Sequence, residues 1–207
     1  MTSESSAEAK PSEAVGARTP LRVAPWRRVA VALAAWSLIY AGYRAYYAAG
    51  GRLGLFGELV SAAQFRAINA IGAAIIFVAG VVPLLASKVD VVRRALPVLC
   101  WITAVGCCMH ALVDGTLRVL SLAGVHPTVL PETVWRSFDR RAADLQDLLL
   151  NEPWFFIEGL LWAALGIALV QPSRRGVWIS SAVIACVMLS VVGVLSGLGV
   201  IGAFRVG

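Results

Sequence analysis

Charge is scarce in this 207-residue chain: 14% of its residues are Asp, Glu, Lys or Arg, against roughly 25% in a soluble domain. Lysine is nearly missing, with Lys10 and Lys88 the two exceptions among 18 basic residues. Period-two alternation of apolar and polar residues is absent, which excludes a membrane β-barrel. No Cys-x-x-Cys pair or cysteine–histidine spacing occurs. Cys100, Cys107, Cys108 and Cys186 sit inside apolar runs and read as small hydrophobes, so the pattern assigns no metal and no cofactor. Established catalytic motifs and inverted transporter repeats are missing too. The net charge of +6 is carried by arginines lying singly or in pairs beside apolar segments, which gives no footing for a nucleic-acid partner.

What remains is hydrophobicity, at 59% of residues and a mean hydropathy of +0.78. Five apolar runs, at about 29–47, 67–85, 96–117, 154–170 and 177–201, each approach the ~20 residues that cross ~30 Å of hydrocarbon. In lipid such runs must be helices, because only a helix satisfies its own backbone polar groups. The expected fold is therefore all-α, a bundle of five transmembrane helices forming one domain over 28–207. Residues 1–27 read as a disordered cytoplasmic tail, too poor in large apolar residues to pack. The first run exceeds the ~7–15 residues of a signal-peptide core and contains Arg44, so it is read as a retained helix.

Orientation follows from basic residues in short flanks. Lys10, Arg18, Arg22, Arg27, Arg28, Lys88, Arg93, Arg94, Arg174 and Arg175 fall on one side, against four acids. The other side holds eight bases and eight acids. This places the N-terminus in the cytoplasm and the C-terminus outside a cell membrane. The longest connection is then extracytoplasmic. Val134, Phe138, Ala142, Leu145 and Leu149 recur in it at helical spacing, with Arg136, Asp139, Arg140, Asp144 and Asp147 on other faces. The spacing predicts an amphipathic helix over about 132–150, begun by Pro131 and capping the bundle.

Polar residues inside spans are costly and usually face the bundle interior. His110, Asp114 and Arg118 share a helix face at i, i+4 and i+8. Arg44, Arg66, Asn69, Glu152, Trp154 and Glu158 complete a set that falls in the outer half of the membrane by residue count. These are candidate headgroup or ligand contacts, with His110 and Asp114 as candidate catalytic residues. Each has a structural reading as well. Asp114 and Arg118 suit a simple ion pair, Arg44 can snorkel to headgroups, and Glu158 needs a partner such as Arg44, Arg66, Arg118 or His110. Gly193 and Gly197 form a small-xxx-small packing pair.

The segments YAGYRAYYAAGGRLGL (40–55), HALVDGTLRVLSLAG (110–124) and NEPWFFIEGLLW (151–162) resemble a family of small actinobacterial integral membrane proteins grouped as a domain of unknown function. The resemblance covers the chain from about Arg28. It implies a membrane location and weight on His110, Asp114, Arg118, Glu152, Pro153 and Trp154, and it supplies no activity. Tyr47 stands where that family would have tryptophan, and Glu158 where it would have a small residue.

Three functions stay open. A structural or accessory protein would use an outward polar pocket for a membrane lipid, a protein partner or a second copy. A membrane enzyme on a lipid or lipid-linked substrate would use His110 as acid/base and Asp114 to orient it, with Arg44 or Arg118 on the headgroup. A proton-coupled carrier would use Glu158 and His110, but the inner halves offer little beyond Ser37, Thr103 and Ser180 for a path.

Overall fold

The computed structural model describes residues 25–86 and 88–201. It is mostly helical (78%), as the all-α reading requires. Helix α1 (Pro25–Ala48) leads into a short strand β1 (Gly57–Leu59), then α2 (Ala62–Leu85) and the long α3 (Asp90–Leu122). Strand β2 (Trp135–Phe138), α4 (Arg140–Gln146), a π-helical turn (Asp147–Asn151), α5 (Glu152–Leu169) and α6 (Arg175–Gly197) follow. Helix α1 lies between α2 and α5, and α3 between α5 and α6.

Four helical stretches are long and apolar enough to cross a membrane: Ala62–Leu85, Arg94–Leu122, Arg140–Leu169 and Pro172–Gly197. Helix α1 is not among these four, because Arg27, Arg28, Arg44, Trp36 and four tyrosines dilute its hydropathy. The exposed side chains suit lipid. Ile71, Ile75 and Val78 on α2 and Val183, Ile184 and Met188 on α6 are all more than half exposed.

The core at one end of the bundle is apolar. Ala30 and Leu33 of α1, Leu96, Cys100 and Ala104 of α3, and Trp162 and Leu165 of α5 are buried together, with Trp178 of α6 packed against them. Close approach depends on glycine. A Cβ on Gly159 would stand 3.1 Å from the Cys108 backbone nitrogen and 3.2 Å from the Ala104 carbonyl oxygen. The Gly193/Gly197 pair likewise seats Val113 and Leu117 of α3 against α6, as small residues do where helices pack in lipid.

Several boundaries differ from the sequence reading. Of the expected tail, residues 1–24 lie outside the described residues, while Pro25, Trp26 and Arg27 already belong to α1. Helix α2 starts at Ala62 because the Ser61 hydroxyl caps it, accepting from the Gln64 N–H at 3.2 Å. Helix α3 starts at Asp90, which puts Pro97 inside it and not at its end.

The helix expected over 132–150 is split. Pro131 closes a turn with the Val134 and Trp135 N–H groups, and the next residues are extended. They pair antiparallel with β1 in the register Gly57↔Phe138, Glu58↔Ser137 and Leu59↔Trp135. Stacking of Phe56 on Trp135 at 4.6 Å reinforces the pairing. Nonlocal pairing has overridden the local helical spacing. Only then does Asp139 cap α4 by accepting from the Ala142 N–H at 3.0 Å, and α4 runs through the π turn directly into α5.

Candidate functional site

Polar side chains gather at the opposite end, where α1 and α3 finish and α2 and α5 begin. The two-stranded pairing ties the α1–α2 loop to the α3–α4 loop across this end.

One buried element is a network around Arg118. The Arg118 Nε stands 2.9 Å from Asp147 Oδ2, and its Nη1 donates to Thr128 Oγ1 at 2.9 Å. Asp144, 1% exposed, lies 3.8 Å from the same Nη1 and accepts from Thr128 Oγ1 at 2.6 Å and Ser121 Oγ at 2.5 Å. Thr128 N–H donates back to Ser121 Oγ at 3.0 Å. The ion pair expected between Asp114 and Arg118 is therefore replaced. Arg118 turns to the α4 and π-turn carboxylates, which tertiary folding brings closer. Asp144, Asp147, Thr128 and Ser121 were not singled out from sequence, since aspartates on an amphipathic segment look like a solvated face.

The π turn carries one more residue than an α-turn, and such bulges often sit at functional positions. Here Asp147 Oδ1 accepts from Asn151 Nδ2 at 2.7 Å, and Asn151 Oδ1 lies 3.4 Å from the Tyr40 hydroxyl that donates to it. Glu152 follows directly. Its Oε2 lies 3.9 Å from His110 Nε2, while His110 Nδ1 stands 3.3 Å from Asp114 Oδ2. Ligand atoms of these three residues all lie within 4.8 Å of one another, the arrangement among the described residues that fits a cation. Sequence spacing exposed His110 and Asp114 together but could not bring in Glu152, from another helix.

On the other flank, Arg44 does not snorkel outward. Its Nη1 donates to Asn69 Oδ1 at 3.0 Å and its guanidinium lies over the Tyr40 ring at 5.5 Å. Asn69 is buried and anchors itself to the Phe65 carbonyl at 2.9 Å. A cavity of about 320 Å³ opens here under the cap, among Tyr43, Arg44, Asn69, Trp135, Gln146 and Asn151. A second, of about 530 Å³, lies between the cap and α2. Arg52, Arg66 and Arg136 line it with Glu58, and Tyr47, Leu55, Leu59 and Phe65 form its apolar wall. Arg66 stands close over Gly50, whose φ of +95° favours glycine.

Two of the expected site residues are placed elsewhere. Trp154 packs, stacking on Trp36 at 4.0 Å and Tyr40 at 5.4 Å, while its carbonyl accepts from Trp36 Nε1. Glu158 meets none of the expected cations. It is buried deeper between α1 and α5, and the Ser37 hydroxyl donates to it at 3.0 Å.

These features define a multi-helix protein with at least four membrane-length apolar helices and one polar, cavity-bearing end. No known protein family, curated protein or solved structure matches the chain.

Proposed function

We propose that this chain is a five-span cell-membrane protein, with α1 as the fifth span and the N-terminus cytoplasmic. Its polar end is extracytoplasmic and binds the anionic headgroup of a membrane lipid, in a structural or accessory role. Support for α1 comes from where its residues point: Ser37, Tyr40 and Tyr47 are buried, whereas Val31, Leu38 and Ile39 are exposed. The polar residues Ser37 and Tyr40 in the middle of the helix thus face inward and the apolar ones around them outward, while the exposed Arg27, Arg28 and Tyr46 lie toward its ends.

The observation that carries the ligand reading is the cavity holding Arg52, Arg66 and Arg136 with Glu58 as the one carboxylate among its lining residues. Guanidinium groups match phosphate oxygens with paired donors, and the neighbouring Leu55, Leu59 and Phe65 suit the apolar root of a headgroup. Arg118 and Arg44, by contrast, are engaged by Asp147, Thr128 and Asn69.

Native mass spectrometry from nanodiscs containing equal phosphatidylglycerol and phosphatidylcholine tests this. The wild type retains phosphatidylglycerol preferentially, and an Arg66→Ala/Arg136→Ala double variant loses that retention by roughly tenfold or more, the scale of a charge-assisted hydrogen bond. Equal retention of both lipids overturns the reading. For orientation, Arg52→Cys should react with an impermeant maleimide in intact cells and Lys88→Cys should not.

The 3.3 Å contact between His110 Nδ1 and Asp114 Oδ2 favours a second reading, a membrane enzyme on a lipid-linked substrate. Asp114 would fix the tautomer that leaves Nε2 to move a proton. Loss of a cellular phenotype in a folded Asp114→Asn variant would support it.

A further inference from the structure

We propose that His110, Asp114 and Glu152 form a binding site for one divalent transition-metal ion of the Zn²⁺ or Mn²⁺ class. The site stands apart from the arginine-lined cavity and does not depend on the lipid reading.

The first argument is an unpartnered group. Glu152 is only 6% exposed, and its Oε2 is buried without a hydrogen-bond partner while aimed at His110. A buried carboxylate oxygen in that state carries a desolvation cost that a cation would offset. A protonated His110 bridging both carboxylates would close a charge-assisted bond of about 2.7–2.9 Å. The observed separation from Glu152 is 3.9 Å, and the bond is not made.

The second argument is charge. The charged groups close to this point are His110, Asp114 and Arg118 from α3, Asp147 from the π turn and Glu152 from α5. Arg118, the one permanent cation of the set, is held by Asp147 and Thr128 beside Asp144. Asp114 and Glu152 are left with one imidazole between them, and a dication supplies the missing charge.

The third argument is donor chemistry and reach. Imidazole with carboxylate oxygens suits Zn²⁺, Mn²⁺ or Fe²⁺; a thiolate set would point to Cu(I), and an all-oxygen set to Mg²⁺ or Ca²⁺. Ligands about 2.0–2.1 Å from a tetrahedral ion stand roughly 3.3 Å apart. His110 gives one ring nitrogen to a single ion; its Nδ1 is already 3.3 Å from Asp114 Oδ2, and with one ligand atom taken from each residue the three lie within 4.8 Å of one another. His110, with 43% of its side chain exposed, has room to rotate inward and leaves the ion a way in. Three protein ligands leave a coordination position for water or a ligand, as open zinc sites do.

The test uses the full chain in nanodiscs, with any affinity tag removed and metal stripped by EDTA, titrated with CoCl₂. Saturable binding of one equivalent, a visible nitrogen/oxygen-ligand Co²⁺ spectrum and displacement by Zn²⁺ are expected. Glu152→Gln and Asp114→Asn preserve shape, and gel filtration verifies their folding. Each should weaken binding beyond the roughly 10–100-fold cost of losing an outer-shell partner, as should His110→Ala. Absence of saturable one-equivalent binding, or unchanged affinity in Glu152→Gln and Asp114→Asn, overturns the site. Lipid retention is read separately, so failure of one proposal leaves the other measurable.

Discussion

The two ends of this bundle are held together by different interactions. Where α1 begins and α5 ends, burial is apolar: Leu33, Leu96, Cys100 and Leu165 are each 0% exposed, and glycine brings the helices close. At the other end many buried groups are polar and hydrogen-bond to one another, as in the Arg118–Asp144–Thr128–Ser121 network, while Glu152 Oε2 is left without such a partner. Lipid tails are as apolar as leucine, so a greasy contact between helices gains little beyond packing there. A buried polar network has fewer alternatives, and it fixes which helix meets which. The apolar end therefore packs the helices together, and the polar end sets register and carries the cavities lined by polar side chains.

That contrast can be broken most forcefully at Arg118. Arg118→Met keeps bulk but leaves Asp144 buried without its cation, and should cost about 3–5 kcal/mol by thermal unfolding in nanodiscs. Adding Asp144→Asn to that variant should restore part of the loss; no restoration would show that the arginine stem and not the charge matters. At the apolar end Leu165→Ala should cost about 2 kcal/mol, the low edge of the range in water, because lipid reduces the transfer contribution. A larger loss there than at Arg118 would reverse the comparison. The smallest effect belongs to Asp139→Ala, which removes the α4 cap and should cost about 1 kcal/mol. Hydrogen exchange over 139–146 would detect it as local opening.

Much of the polar end was legible one helix at a time. His110, Asp114, Arg44, Asn69 and Glu152 stood out because a polar residue in an apolar run is costly wherever it points. Their partners were harder. Arg118 has a carboxylate four residues away in Asp114, yet it binds Asp147, 29 positions along the chain by number. Glu158 looked short of a cation and is met by a serine hydroxyl from α1. Residues 135–138 carry helical spacing and fold as a strand, because a three-residue edge at 57–59 and a stack on Phe56 outweigh a weak local preference.

The hydrophobic runs determined by themselves that this is a helical protein with membrane-length helices, since a closed β-barrel, the other arrangement that satisfies its backbone hydrogen bonds in lipid, needs a period-two alternation that these runs lack. They also determined which residues would be expensive to bury. Only the tertiary structure decided how that expense is met for Arg118 on Asp147, Glu158 on Ser37 and Arg44 on Asn69, and that Glu152 faces His110 and Asp114 across two helices with its Oε2 left without a hydrogen-bond partner. Such pairings depend on the packing of α1, α3 and α5 side by side, and local spacing along one helix contains no information about the face its neighbour presents.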